Sequence, residues 1–361
     1  MVWALLTTNP SRINKIFTII MRIFNYCDTG FTFFFGYIIT SLILKGLIVR
    51  AIMLWGATEM LMFSFVPVCL ADSDTLQIAV IGPMSGKDHE GGRAMLTGVN
   101  LYVDEVNKNG GINGRKLEVI AYDDQNNRMM ARDKAMEIAK DSSTLIVIGH
   151  YYSSISLEGG KIYREYGIPA ITASATAPEV TGGNDWYFSV VPDTNLQGKF
   201  SALYIKNILE QEAVYIVFDQ DAYGTTLQRS FEQAALDSGL HIKNIWSVDS
   251  EINDVDRIFD KITQELRLDP NPGALFVALQ DHEAAKLVRS IRDAGVDLAI
   301  MGGDAIGSES FQRQFVTMPS ETRSPGHYTN GIYAATFFIS DVSNRKARQF
   351  SKTFKLRYGK E

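Results

Sequence analysis

From residue 75 onward, short apolar runs alternate with longer stretches in which apolar positions recur every three or four residues. That alternation predicts strand followed by helix. Strands are expected at 76–81, 116–122, 144–148, 169–172 and 186–191, with helices at 92–109, 129–140 and 153–166 between the first four. The P-D-T-N after residue 191 reads as a linker into a helix at 196–209. A second set follows. Its strands at 214–218, 242–248, 274–279 and 298–301 alternate with helices around 225–238, 254–265, 283–294 and 308–315. After a polar, turn-rich stretch at 323–330 come an apolar strand at 331–337 and a helix at 344–357. Repeated β-α-β implies a parallel sheet covered on both faces, and two such sets imply two lobes. The expected fold class is therefore α/β, with two doubly wound parallel-sheet lobes.

Before residue 71 the pattern is different: 16–24, 31–49 and 51–70 are apolar, with few charges. Lys45 and Arg50 precede an apolar run ending in C-L-A before Asp72, the order of a secretory signal cleaved after Ala71. Glu59 interrupts that run, and 31–49 approaches the length that spans a bilayer, so an uncleaved membrane anchor is the alternative. Either way the remainder is expected outside the cytoplasm, and the leader would be its only membrane contact. Residues 66–68 lack the small residue that lipid attachment at Cys69 requires.

Both cysteines of the chain, Cys27 and Cys69, lie in this leader, so neither a disulfide nor a thiolate site is expected after it. The 361 residues suffice for two cores, and the net charge of −6 offers no basic face to nucleic acid. A catalytic set is missing. There is no G-x-S-x-G elbow, and H-E-A-A-K at His282 lacks the second histidine of a zinc helix. His150 is expected as a loop or hinge residue, and the adjacent Asp123 and Asp124 as capping residues rather than an acid/base pair. No enzyme, metal or cofactor is expected.

The strands at 144–148 and 169–172 both stop at small hydroxyl residues, which puts Ser153, Ser154, Ser174 and Thr176 at neighbouring strand ends. In an open parallel sheet those ends face a ligand crevice. Hydroxyls beside the free N–H groups of a helix start suit a carboxylate, as in half of an amino-acid site. The same residues also suit plainer roles, Ser153 as a helix cap and Thr176 as a turn residue.

Seven motifs then occur in order: G-P-M-S-G at Gly82, G-G-I-N-G-R-K-L at Gly110, Y-D-D at Tyr122, G-H-x-x-S-S at Gly149, S-A-T-A-P-E at Ser174, D-A-Y-G at Asp221 and M-G-G-D at Met301. In these the chain resembles the leucine/isoleucine/valine-type substrate-binding proteins of bacterial ABC transporters, in the class I periplasmic binding protein family. The resemblance implies a two-lobed clamp with a multi-crossover hinge, the chain crossing near Pro192 and again between Tyr328 and Ile332. It divides the chain into a leader at 1–71, a first lobe beginning at 72–192, a second lobe at 193–328 and a return to the first lobe at 329–361. It also implies that Ser153 and Thr176 bind a ligand carboxylate and that Ser174 offers its carbonyl to the ammonium. Asp304 would face that ammonium, and Tyr223 would close over the ligand. Tyr152 and Gln280 are counted with this set. Asp304 alone would equally suit a cap for the helix near Ser308.

The implied function is capture of an amino acid or related small zwitterion for delivery to a membrane permease, and the alternative is the ectodomain of a membrane-bound sensor. The sequence departs from the resemblance at Gly91 and near Gln280, where an aromatic residue facing the ligand would be expected. With His89, Glu90 and Asp281 nearby, a pocket more polar or roomier than one for leucine is expected. The chain also stops at Glu361, short of the last first-lobe elements that the resemblance implies.

Overall fold

In the first sheet, β1 (Thr75–Gly82) lies between β2 (Lys116–Asp123) and β3 (Thr144–Ile148), followed by β4 (Ala170–Thr172) and β5 (Tyr187–Ser189). The second sheet has β6 (Ala213–Asp219) between β7 (His241–Val248) and β8 (Ala274–Ala278), followed by β9 (Ala299–Gly302) and β10 (Ile332–Ala334). Every pairing is parallel, and both sheets wind in the order 2-1-3-4-5. The computed structural model describes residues 75–251, 254–339 and 342–359, so the expected leader at 1–71 lies outside the described residues.

Helices α1 (His89–Lys108), α2 (Arg128–Lys140) and α3 (Ser153–Tyr166) connect the first sheet. Those of the second set are α4 (Thr194–Asn207), α5 (Ala222–Asp237), α6 (Val255–Leu268), α7 (Asp281–Asp293), α8 (Glu309–Val316) and α9 (Pro319–Arg323). The final helix is α10 (Arg345–Tyr358). All five residues of the central strand β8 are buried, as a strand covered on both faces requires, whereas the edge strand β2 buries Leu117 between exposed Lys116 and Glu118. Helix α6 buries Phe259, Ile262, Thr263 and Leu266, one face at helical spacing. Side chains of Asn127, Asp193, Asp221 and Asn344 accept the first free N–H groups of α2, α4, α5 and α10, which fixes where those helices begin.

Three departures from expectation bear on how the lobes are laid out. Helix α1 begins at His89 rather than Gly92, because the glycine pair is part of its first turn. A Cβ on Gly92 would lie 2.2 Å from the Pro83 carbonyl oxygen, so the bare glycine is what lets the helix sit against the end of β1. The strand expected at 186–191 stops at Ser189; Val190 is 70% exposed as the chain leaves for the second lobe. The third difference concerns the expected return at 329. Residues 332–334 instead form the edge of the second sheet, Ile332 opposite Ile300 and Tyr333 opposite Met301, since that apolar run pairs with the otherwise open edge of β9. Only afterwards does the chain reach the first lobe. There α10 lies beside α1, with Arg357 2.5 Å from Asp104 and Phe350 next to Gly98.

Both lobes fall within one compact unit. Between them Lys87 meets Glu283 at 3.1 Å, Glu90 meets Arg313 at 3.2 Å and Arg128 meets Glu251 at 3.5 Å. The Ala222 N–H donates to Ser154 Oγ at 3.1 Å, and the Thr194 N–H donates to the Thr176 carbonyl at 2.9 Å where the chain crosses over.

Candidate functional site

Residues at and just after the C-terminal ends of β3, β4, β6, β8 and β9 surround a cavity of about 60 Å³ between the lobes. In both sheets this is the end at which winding reverses around a central strand, where the connecting loops diverge and leave a crevice. The first lobe contributes Ser153, Ser174 and Thr176; the second contributes Tyr223, Gln280 and Asp304. Tyr152 also lines it.

On the first-lobe side, Tyr152 occupies the cap position of α3, with no side-chain cap bond, and Ser153 is the first helical residue. Ser153 therefore does not cap its own helix. Its Oγ accepts the N–H groups of Thr176 and Ala177 at 3.2 and 3.1 Å and ties the loop after β4 to the start of α3. With both lone pairs engaged, the hydroxyl retains its proton for donation. The buried Thr176 stands beside it, above the N-terminus of a fourteen-residue helix whose first amides and dipole favour an anion. Ser174 is half-buried, its N–H donating to Thr172 Oγ1 at 3.2 Å.

Opposite lies Asp304. It begins a short 3-10 turn after β9, and its N–H donates to Gln197 Oε1 at 3.0 Å. The cap of α8 is Ser308, whose Oγ accepts the Phe311 N–H, so Asp304 is not that cap. Its Oδ1 is buried without a hydrogen-bond partner. Burial pushes the carboxyl up to about 6, with Gln197 and Tyr223 acting in the opposite direction. The hydroxyl of buried Tyr223 accepts the Ala305 N–H at 3.5 Å. Gln280 Nε2 donates to Asp221 Oδ2 at 2.8 Å, and Asp221, also raised to about 6 by burial, caps α5.

Two residues counted with the site lie outside the cavity. Ser154 is spent on the inter-lobe bond to Ala222. Gly91 sits beneath Tyr151: a Cβ there would be 2.3 Å from the Tyr151 ring. The room that glycine leaves is thus filled by Tyr151, and a roomier pocket is not what results. His89 contacts the Gly86 carbonyl and Glu90 pairs with Arg313, so neither lines the cavity. Tyr151, Asp281 and Ser308 line it and were not anticipated in that role. Of these, only Asp281 was signalled at all, as a polar neighbour of Gln280; the Y-Y pair before Ser153 does not say which ring faces inward.

His150 lies in the loop between β3 and α3, yet it is fully buried, with Nδ1 2.6 Å from Asp124 Oδ2, Nε2 3.0 Å from the Tyr163 hydroxyl and its ring packed under Gly159 of α3. Asp123 caps no helix; at the end of β2 it accepts the N–H groups of Met84 and Ser85 from the loop after β1, and that of Gln125. A larger open groove of about 610 Å³ runs along α4 and α5 past Lys199 and Arg229, and it shares no residue with the inter-lobe cavity.

Two parallel-sheet lobes facing each other across a small polar cavity, with unpaired donors on one wall and a buried carboxylate on the other, define a two-lobed ligand clamp. The chain belongs to the periplasmic binding protein family, whose model, described as "Periplasmic binding protein", matches residues 75–361. It is 28% identical over 239 residues to the leucine-, isoleucine-, valine-, threonine-, and alanine-binding protein of Pseudomonas aeruginosa, covering 65% of this chain and 62% of that protein. It is 28% identical over 244 residues to the Leu/Ile/Val-binding protein of Escherichia coli K12, covering 67% of this chain and 64% of the relative. The chain thus spans somewhat less than two thirds of the length of these curated relatives. Among solved structures, the branched-chain amino acid transporter substrate-binding protein LivJ of Streptococcus pneumoniae in complex with isoleucine superposes with a TM-score of 0.70 at 25% identity, over 80% of this chain and 78% of the other.

Proposed function

We propose that this chain is an extracytoplasmic solute-binding protein that captures an amino acid or related small zwitterion between its lobes and delivers it to an ABC transporter permease. One observation carries the proposal: the buried, unpartnered Oδ1 of Asp304 lies on the same cavity as Ser153, Thr176 and the N-terminus of α3. A zwitterion leaving water needs a cation acceptor and an anion site within its own length, because an unpaired buried charge is very costly. In this reading Ser153, Thr176 and the α3 amides hold the carboxylate, while Asp304 and the Ser174 carbonyl receive the ammonium. Tyr223 and Gln280 close the second-lobe side. The protein acts by binding rather than by catalysis. Relatives named for binding leucine, isoleucine and valine, and in one case also threonine and alanine, support the class of ligand.

The lobes are assigned as 72–192 with α10, and 193 through β10. For the leader we keep export with cleavage after Ala71; among the described residues no helix is long and apolar enough to cross a membrane. Mass spectrometry of the native protein should give a mature start near Asp72, and an intact leader in a cytosolic fraction would overturn that part.

Calorimetric titration tests the site. Asp304→Ala should weaken amino-acid binding by roughly 2–5 kcal/mol, the loss expected when one partner of a desolvated charge pair is removed. A variant that binds as wild type does would take Asp304 out of the site.

A further inference from the structure

With ammonium and carboxylate assigned to Asp304 and to the Ser153–Thr176 wall, what remains of the cavity must meet the ligand side chain. Its first-lobe wall is Tyr151. That ring rests directly on the backbone of α1 at Gly91, where even a methyl group would lie 2.3 Å from Cζ. On its other side Tyr151 packs against Tyr152, ring centroids 5.4 Å apart, and the Tyr152 hydroxyl is held by Asp88 Oδ1 at 3.1 Å. The wall is thus braced from both sides. The 60 Å³ it leaves is room for roughly four to six waters, at about 10–15 Å³ each.

The second-lobe wall is Asp281, the first residue of α7. The helix N-terminus favours a carboxylate there but leaves its hydrogen bonding open. Among the described residues Asp281 has no side-chain hydrogen bond and no ion pair. Its carboxylate lies within 4.8 Å of an oxygen of Asp88 and a ring nitrogen of His282. His282 is itself 3.2 Å from the Lys87 carbonyl oxygen. Beside Asp281, Gln280 has committed Nε2 to Asp221 and leaves its carbonyl oxygen as an acceptor. Among the described residues, no Lys, Arg or His lines the cavity. An aliphatic side chain entering here would strip water from Asp281 and give nothing back.

The geometry points to a ligand whose side chain is short and carries a hydrogen-bond donor, Tyr151 setting its length and Asp281 accepting from it. This rests on the amino-acid reading of the site; it departs from the leucine, isoleucine and valine named for several relatives and lies nearer the threonine also named for that of Pseudomonas aeruginosa.

The test is a calorimetric panel on the full-length protein with L-serine, L-2,3-diaminopropionate, L-alanine, L-leucine and L-isoleucine. Serine and diaminopropionate should bind at least about tenfold more tightly than leucine or isoleucine. Asp281→Asn should weaken diaminopropionate by about tenfold while leaving alanine nearly unchanged. Tyr151→Ala, checked by its melting curve, should bring leucine at least about tenfold closer to serine. Leucine binding as tightly as serine in the wild type overturns this inference and leaves the amino-acid clamp standing. Binding of none of the five overturns both. The wild-type panel decides the matter even if Tyr151→Ala does not fold.

Discussion

Asp304 can pair with an ammonium only when ionised, and burial has made ionisation harder by raising its carboxyl to about 6. Two consequences of opposite sense follow. Binding should strengthen as pH rises, by up to about tenfold per unit below pH 6, and level off above it. The free fold behaves the other way. A carboxyl raised in the folded state holds a proton that the unfolded chain has already released, so its relative stabilisation is complete below about pH 4 and is lost as pH climbs to about 6. A shift from the ordinary 3.8 to about 6 is about two units, so Asp304→Asn should make the ligand-free protein more stable at pH 7 by up to about 3 kcal/mol. Asp221 contributes in the same direction, which is why the comparison is made between variant and wild type rather than across pH alone. Titration calorimetry and urea melts from pH 5 to pH 8 read both effects. An affinity that is flat with pH, or an Asn variant no more stable than wild type at pH 7, contradicts the protonation argument.

Helix α1 illustrates how an element is fitted to the site. Its first turn passes so close to the loop leaving β1 that Gly92 has no space for a side chain, while Gly98, two turns on, has only ordinary contact at 3.8 Å with Phe350. The two glycines should respond oppositely to the same change. Gly92→Ala pushes a methyl group into the Pro83 carbonyl and should destabilise by about 1–3 kcal/mol. Gly98→Ala removes backbone freedom from the unfolded chain and should be neutral or stabilising by up to about 1 kcal/mol. Chemical denaturation of the two variants side by side settles the point, and equal effects would mean that α1 is not seated as described. In α3 the same economy appears in another form, since the Ser153 hydroxyl fixes the loop after β4 and still retains its proton for donation.

At the scale of the molecule, the lobes meet through ion pairs whose side chains are largely exposed on at least one side, such as Lys87 with Glu283 and Arg128 with Glu251. Exposed pairs of this kind contribute about 0–1 kcal/mol each and weaken with salt. They bias the clamp without locking it. A ligand shifts such an equilibrium only by binding the closed form better than the open one, and a zwitterion touching both walls does so. Small-angle scattering should therefore show compaction on adding ligand, with a larger change at high salt, where the free protein is more open. Asp304→Ala should not compact at the same ligand concentration. An unchanged profile at saturation counts against closure.

The elements themselves were legible in the chain because strand and helix are written in local periodicity: the helix at 153–166 and the strand at 144–148 fall where the pattern puts them. The hydroxyls at adjoining strand ends and Asp304 after its glycine pair were legible for the same reason, since position at a strand end is a local property. Which wall each side chain faces was not. That Ser154 would reach across to Ala222, that residues 332–334 would complete the second sheet and that Tyr151 would fill the space above Gly91 all depend on segments far apart in sequence. Local pattern determined the parts and the ends at which chemistry collects. Only the tertiary structure, by bringing the starts of α1, α3 and α7 together, decided the size of the cavity and the carboxylate that lines it, because steric exclusion and hydrogen-bond pairing act between neighbours in space.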